Sequence, residues 1–485
     1  MINKILKRDY RTYQINIMKG HRLHPYFNEL FFQSNNLYNA SNFYIRQVYT
    51  ALHSSKKLQP LQQEVMNTLK NNMEKMNERQ INSHHKRLAK EKLKPMAEQK
   101  EWKPNLFELP SKDNSFLGSH FLDCLFKVIK QPDYYSLPGQ MNQQVIRNVI
   151  QNWKSFFKSL KTYKANPEKF KGAPSIPGYL PKGGRKEAIL SNQICKIQDG
   201  KFLRFPKTKM RLNIGKLALQ NAAFQQVRII TKYDGFTVEV IFLVGFKKEV
   251  PVKKERCMSM DLGIDNISAI AFNTKNAPVL FKGGVIKSTS QWYNKMRAFH
   301  YAALRNGQKP KEGPFHSKKL STLHAKRHRK MKDFFHKVSF HILKIAVENN
   351  VDTIIIGKNK DWKQNSNMGK RNNQHFVQIP HALFIELITY KANEKGIAVI
   401  LTEESYTSRA SFLDGDLIPT YKLGNQTNHP FSGKRVKRGL YRTKNNTIIN
   451  ADINAAANIL RKVVPNAFAN GIAAVCSQPR VVNVH

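Results

Sequence analysis

The chain has 485 residues, with 81 Lys and Arg against 33 Asp and Glu and a formal net charge of +48. Its length suits about three domains at roughly 150 residues each and excludes a single small module. So large a positive charge is tolerated most readily when a polyanion neutralises it, which makes nucleic acid the leading partner; no apolar run of membrane-spanning length and no lipidation signal supports a membrane surface instead.

The start, MINKILKRDYRTYQINIMKG, has basic residues but no continuous apolar stretch, so it does not read as a secretory signal. Cys124, Cys195, Cys257 and Cys476 lie far apart and form no C-x-x-C pair, a pattern that suits reduced thiols in a cytoplasmic protein. Within the start, YRTYQINI alternates like a strand. The segment FNELFFQSNNLYNASNFYIRQVYTAL then reads as a helix. Residues 63–103 are polar and basic, with few side chains to bury. A further helix follows, in which Val145, Val149, Trp153, Phe156 and Leu160 form one apolar stripe.

From Asn166 to about Lys186 the chain is rich in Pro, Gly and Lys, as a connection between domains would be. Asp199-Gly200 and Asp234-Gly235 then sit between β-rich runs, the strongest short-range hairpin signal, and predict antiparallel sheet over residues 187–245. We expect a small barrel there, completed by the N-terminal strand. Beyond KKEVPVKKER the texture becomes alternating strands and helices. CMSMD carries Asp261 on a strand, VDTIIIG reads as a buried strand, HALFIELITYKANEKG as a helix, IAVILTEE as a strand, and NADINAAANILRKVV as a helix with an acid at its start. His324 and His328 are four apart on one helix face, but HAKRHRK surrounds them with cations that disfavour a metal dication. Lys326, Arg327, Arg329 and Lys330 there are taken as nucleic-acid contacts.

The strand Asp followed by Leu-Gly-Ile, the late D-x-N-A-A-x-N-I, the Y-T-S between them, and the segments GGVIKSTSQWYNKM and PFSGKRVKRGLYR resemble the TnpB/OrfB proteins of insertion sequences, relatives of the type V CRISPR effectors and of Fanzor. The resemblance covers most of residues 257–464. It implies α/β architecture with a β-barrel and helical lobes: an RNase H-like RuvC nuclease domain, an antiparallel wedge barrel and a helical recognition domain. The implied boundaries are 1–24 for the N-terminal strand of the wedge, 25–165 for recognition, 166–250 for the wedge barrel and 251–407 for the nuclease domain. A target-nucleic-acid-binding insert spans 408–448, and 449–485 form the nuclease C-terminal part and tail.

The implied activity is RNA-guided cleavage of DNA, with a guide RNA and double-stranded target DNA as partners, one protein per guide RNA, and no membrane. Phosphodiester hydrolysis by in-line attack is commonly assisted by two Mg²⁺ roughly 4 Å apart, held by hard carboxylate oxygens. Asp261 and Asp452 match the first and third acids of the family. Most relatives carry the second acid, a glutamate, at the end of the central strand, where this chain has Gly357; a carboxylate from IAVILTEES would have to replace it. The resemblance to Fanzors and some TnpB relatives, whose glutamate stands three residues before the Thr-Ser pair, implies Glu404 as the preferred candidate; Glu403 is the alternative, since side chains alternate along a strand and only one of the two can face Asp261.

Where many relatives have zinc-binding cysteines the chain has Ser411 and Asp414, so no zinc is expected. The insert is expected to pack around Phe412, Leu413, Ile418, Phe431 and Leu440, with Lys434, Arg435, Lys437 and Arg438 toward phosphate. Two alternatives stay open: a guided DNA-binding protein without cleavage, and an RNA-independent DNA recombinase or transposition accessory protein.

Overall fold

The structure, a computed structural model, describes residues 8–96, 99–100, 103–184, 187–215, 222–233, 235–246, 249–309, 311–359, 379–420, 429–469 and 478–484. The fold is mixed α/β, with helices and several sheets in two compact units, Met1–Lys247 and Lys248–His485.

In the first unit, β1 (Arg8–Ile17) leads into α1 (His24–His53), α2 (Pro60–Glu91), α3 (Ser119–Val128), α4 (Pro132–Ser136) and α5 (Gly139–Ala165). The expected stripe on α5 buries Val145, Val149, Trp153 and Phe156, and the Trp153 indole N–H donates to Asn42 Oδ1 on α1 at 2.8 Å. Strands β2 (Glu187–Ser191), β3 (Lys196–Gln198), β4 (Phe202–Arg204), β5 (Arg211–Asn213), β6 (Ala223–Lys232) and β7 (Gly235–Phe246) complete the unit.

Asp199 and Gly200 both hold positive φ (53° and 64°), as a tight hairpin turn requires. Of the second predicted turn, Asp234 lies outside the described residues, while Gly235 is pressed so close to Ile17 that a Cβ would stand 2.4 Å from its carbonyl oxygen. The N-terminal strand does join the antiparallel sheet, in the order β1-β7-β6-β2, but the expected barrel does not close among the described residues. The reason lies in the helices: α1 packs against β2 and β7 and α5 against β2, so the sheet buries a face on helices instead of curling onto itself.

The second unit is organised by a six-stranded sheet in the order β12-β11-β8-β9-β10-β16. Strands β8 (Cys257–Asp261), β9 (Asn266–Phe272) and β10 (Val279–Lys282) form an antiparallel meander. Helices α6 (Gly284–Arg305) and α7 (Lys318–Glu348) then lead to β11 (Thr353–Gly357), which runs parallel to β8, and α8 (His381–Glu394) leads to β12 (Ala398–Thr402), parallel to β11. A parallel neighbour needs a long crossover, which α7 and α8 supply. Strands β13 (Lys434–Lys437), β14 (Leu440–Arg442) and β15 (Ile448–Asn450) make a small antiparallel sheet before α9 (Ala451–Val463), and β16 (Arg480–Val482) closes the large sheet beside β10.

Alternation assigns the two sheet faces. Met258, Met260, Ile354 and Ile356 join the core built with α7 and α8, whereas Cys257 and Ile355 pack with Ile459 and Leu460 of α9. By the same parity Asp261 and Gly357 face α9. Among the described residues no helix is long and apolar enough to cross a membrane. Cys124, Cys195 and Cys257 are free and buried; Cys476 lies outside the described residues.

Candidate active site

Three elements end at one place on the α9 face of the second sheet. Asp261 is the last residue of β8, Asp452 stands in the first turn of α9, and Glu404 lies two residues past β12. Parallel pairing of Gly357 with Thr402 puts Glu404, two residues on from Thr402, on the side of Gly357 and Asp261. A Cβ on Gly357 would meet Glu404 Oε2 at 2.8 Å, Glu404 Cβ at 3.2 Å and Ile459 Cδ1 at 2.5 Å. Glu404 therefore fills the space that a side chain at the end of the central strand would occupy.

Glu403 turns elsewhere. Its Oε1 accepts from the Ser405 N–H at 2.7 Å and its Oε2 takes the Lys462 ammonium at 2.5 Å. Burial alone would push its carboxyl up, but these partners outweigh burial and hold it below the usual glutamate value.

The carboxylates on the Gly357 side are crowded. Burial pushes Asp261 well above the usual aspartate range, the Glu404 and Asp452 charges add to the shift, and only Arg435 opposes it. Burial raises Glu404 to about 7, with Glu403 adding and Lys462 opposing. Glu404 Oε2 is buried and has no hydrogen-bond partner among the described residues. Asp452 is the best supported of the three: Oδ2 accepts from Asn266 Nδ2 at 2.7 Å, and Oδ1 accepts from Arg435 Nη2 at 2.9 Å. Asn450 caps the helix, its Oδ1 accepting from the N–H groups of Asp452 and Ile453.

Hard oxygen donors, two of them disfavoured as anions and one left without a partner, suit a hard dication. Among the described residues, however, no three His, Cys, Asp or Glu side chains stand close enough together to hold one as they are; Asn266 and Arg435 take the two oxygens of Asp452.

The motif residues around the acids have structural work of their own. Asn458 Nδ2 donates to the Thr407 and Ala410 carbonyls at 2.9 and 2.7 Å, and Asn454 bonds Ala410 O and the Phe412 N–H, so α9 pins the loop that carries Glu404. In the insert, Ser411 and Asp414 join a hydrogen-bonded stitch instead of a thiolate cluster. Asp416 accepts from the Ser411 N–H and from both the N–H and hydroxyl of Ser432, while Asp414 Oδ2 accepts from the Lys444 N–H at 2.9 Å.

The insert core differs from the expected set. Phe412 is buried and Leu413 packs beside it, but Leu440 is 39% exposed, Phe431 and Ile418 are half-buried, and Tyr441 and Ile449 fill the centre. Neighbours alternate along β14, so burying Tyr441 sends Leu440 to solvent.

The basic candidates divide. Arg435 is on Asp452, and Arg438 is on Asp265 at 2.5 Å, where Lys287 also lies at 2.7 Å; Lys434 and Lys437 are exposed. On α7, the Lys326 ammonium stands 5.1 Å from the Trp292 ring centre and the Arg327 guanidinium 5.0 Å from that of Tyr293; Arg329 is half-buried and Lys330 exposed. His324 bonds the Tyr293 hydroxyl at 2.8 Å. Sequence reasoning missed Asn266, Lys462 and Asn359, whose Oδ1 accepts from the Glu404 N–H at 2.9 Å; none of the three carries a local motif.

Residues 237–363 match the OrfB_IS605 family model, described as a probable transposase, and residues 381–459 match the Cas12f1-like TNB domain. No curated protein matches the chain. Among solved structures, the mini-RNA-guided endonuclease CRISPR-Cas_phi3 is 10% identical, with 98% of this chain and 93% of that chain covered and a TM-score of 0.39. The Cas12f1-sgRNA-target DNA complex is 12% identical, covering 93% and 98%, with a TM-score of 0.30. Alicyclobacillus acidoterrestris C2c1 with single-guide RNA is 10% identical, covering 87% and 69%, with a TM-score of 0.29. Within its C-terminal half the chain is similar to the OrfB_IS605 family over residues 237–363 and to the Cas12f1-like TNB domain over residues 381–459.

Proposed function

We propose that this protein is an RNA-guided DNA endonuclease that hydrolyses phosphodiesters at Asp261, Glu404 and Asp452. The observation that carries the reading is Glu404 filling the gap beside Gly357, on the face shared by Asp261 and Asp452. In this reading the six-stranded sheet is an RNase H-like RuvC core and the open sheet of the first unit is the wedge. Residues 25–165 are the recognition lobe and 408–448 the target-binding insert. The positive charge holds guide RNA and target DNA by phosphate and shape contacts, with a short motif beside the target read by the protein and the rest by base pairing. The setting is the prokaryotic cytoplasm.

Asp261 and Glu404 would hold Mg²⁺, and Asp452 would join them once Arg435 lets go. The bound ions would supply an activated water and charge stabilisation at the leaving oxygen. The protein's own part is to bring three carboxylates to one face, to hold Asp452 through Asn266, and to keep Glu404 free of competing donors.

Arg435 on Asp452 also favours a second reading, a guided binder that does not cut. Sequencing the RNA that copurifies, then offering a guide-matched target library with Mg²⁺, separates the two. Cleavage by wild type and its loss in Asp261→Ala and Glu404→Ala support the nuclease. Guided binding without cleavage by wild type supports the binder, and DNA binding that needs no RNA overturns both in favour of a transposition accessory role.

A further inference from the structure

An acid at the end of a strand is aimed by the ladder on both sides of it, but Glu404 has left that ladder. Strand β12 ends at Thr402, and Tyr406, two residues past Glu404, has φ of 64°, so the acid sits in a bend whose direction something else must fix. Part of the answer is backbone. The Glu404 N–H donates to Asn359 Oδ1 at 2.9 Å, and the Glu404 carbonyl accepts from the Thr407 hydroxyl at 2.8 Å.

The rest comes from Lys462, in the last turn of α9. Its ammonium donates to Glu403 Oε2 at 2.5 Å and to the Ser405 carbonyl at 2.8 Å, gripping the residues on both sides of Glu404. A lysine serving only the helix dipole would lie in solvent; this side chain is 9% exposed and reaches back into the bend. Glu403 completes the clamp by folding its other oxygen onto the Ser405 N–H.

We propose that Lys462 is a positioning residue for Glu404, which with Glu403 as its counter-charge turns the relocated acid toward Gly357 and Asp261. One helix then sets both acids that lie outside β8: Asp452 directly at its start and Glu404 through Lys462 at its end. The inference rests on reading Glu404 as a site acid.

The test compares Lys462→Met, which keeps the stem and removes the charge, Lys462→Arg, which keeps the charge, and Glu403→Gln, in the full chain with its copurified RNA. Mn²⁺ binding is measured by calorimetry, together with the melting temperature and cleavage. Loss of a residue that orients a metal ligand typically costs 10–100-fold in affinity, so Lys462→Met should weaken Mn²⁺ binding by about that factor. Lys462→Arg should recover most of it at a similar melting temperature, and Glu403→Gln should weaken binding less than Lys462→Met.

Mn²⁺ affinity within twofold of wild type in Lys462→Met overturns the proposal, as does a loss that Lys462→Arg does not relieve. If Lys462→Met fails to fold, Glu403→Gln decides: unchanged affinity overturns the clamp. Wild type that binds Mn²⁺ but does not cut removes the nuclease reading and leaves the clamp standing. Wild type that binds no Mn²⁺ removes both.

Discussion

Glu404 Oε2 lies 2.8 Å from the position a Cβ on Gly357 would take, so the glycine of the central strand and the glutamate beyond its neighbour are sterically exclusive. Gly357→Ala should therefore displace Glu404 and crowd Ile459, at a cost of about 1–3 kcal/mol, as overpacking of a filled site does. Thermal melts and cleavage rates check this together. The pair Gly357→Glu with Glu404→Gly should cut faster than Glu404→Gly alone, because it returns a carboxylate to the same space.

Asp261→Asn and Glu404→Gln should each lower guided cleavage by at least about a hundredfold, since a group proposed to bind the metal directly should cost no less than one that only orients such a group. Glu403→Gln should cost far less, its carboxylate being committed to Lys462. Retention of copurified RNA, measured on the same preparations, should be unchanged in all three.

Metal-free protein should lose stability as pH rises. Glu404 is raised to about 7 when folded from the usual 4.5, so between these values the folded state holds more proton than the unfolded one. The stabilising proton is fully present below about 4.5 and is lost as pH passes 7, a change on the order of 3–4 kcal/mol; Asp261, shifted in the same direction, adds to it. Melts of wild type and Glu404→Gln across this window should show a shallower slope in the variant, and Mg²⁺ should restore wild-type stability at the upper end.

Asp416→Ala should destabilise the insert by about 1–3 kcal/mol, since it leaves the Ser411 and Ser432 donors without their acceptor. A zinc-selective chelator should leave the melting temperature of wild type unchanged, the stitch being made of hydrogen bonds. Calorimetry on both samples checks the pair of expectations.

The acids at element ends could be read from the sequence because Asp261 and Asp452 each sit in a recognisable run. The choice between Glu403 and Glu404 could not, for it depends on the pairing of Gly357 with Thr402, which is set by contacts between strands 45 residues apart. Asn266 and Lys462 were invisible for a similar reason: their partners, Asp452 and Glu403, are 186 and 59 residues away. The barrel was over-read because hairpin signals report turns but say nothing of the helices that cover a sheet. Leu440 was misplaced because a three-residue strand gives too short an alternation to reveal its inward face.

The parallel register of β11 and β12 also matters for reading other genomes. Adjacent strands lie about 4.8 Å apart, a gap that a glutamate side chain can bridge, so an acid can migrate from one strand to the next while its carboxylate hardly moves. If Glu404 serves as proposed, a screen that asks only for a glutamate at the end of the central strand would pass this chain over. Pairing a glycine there with a glutamate two residues beyond the neighbouring strand would retrieve it.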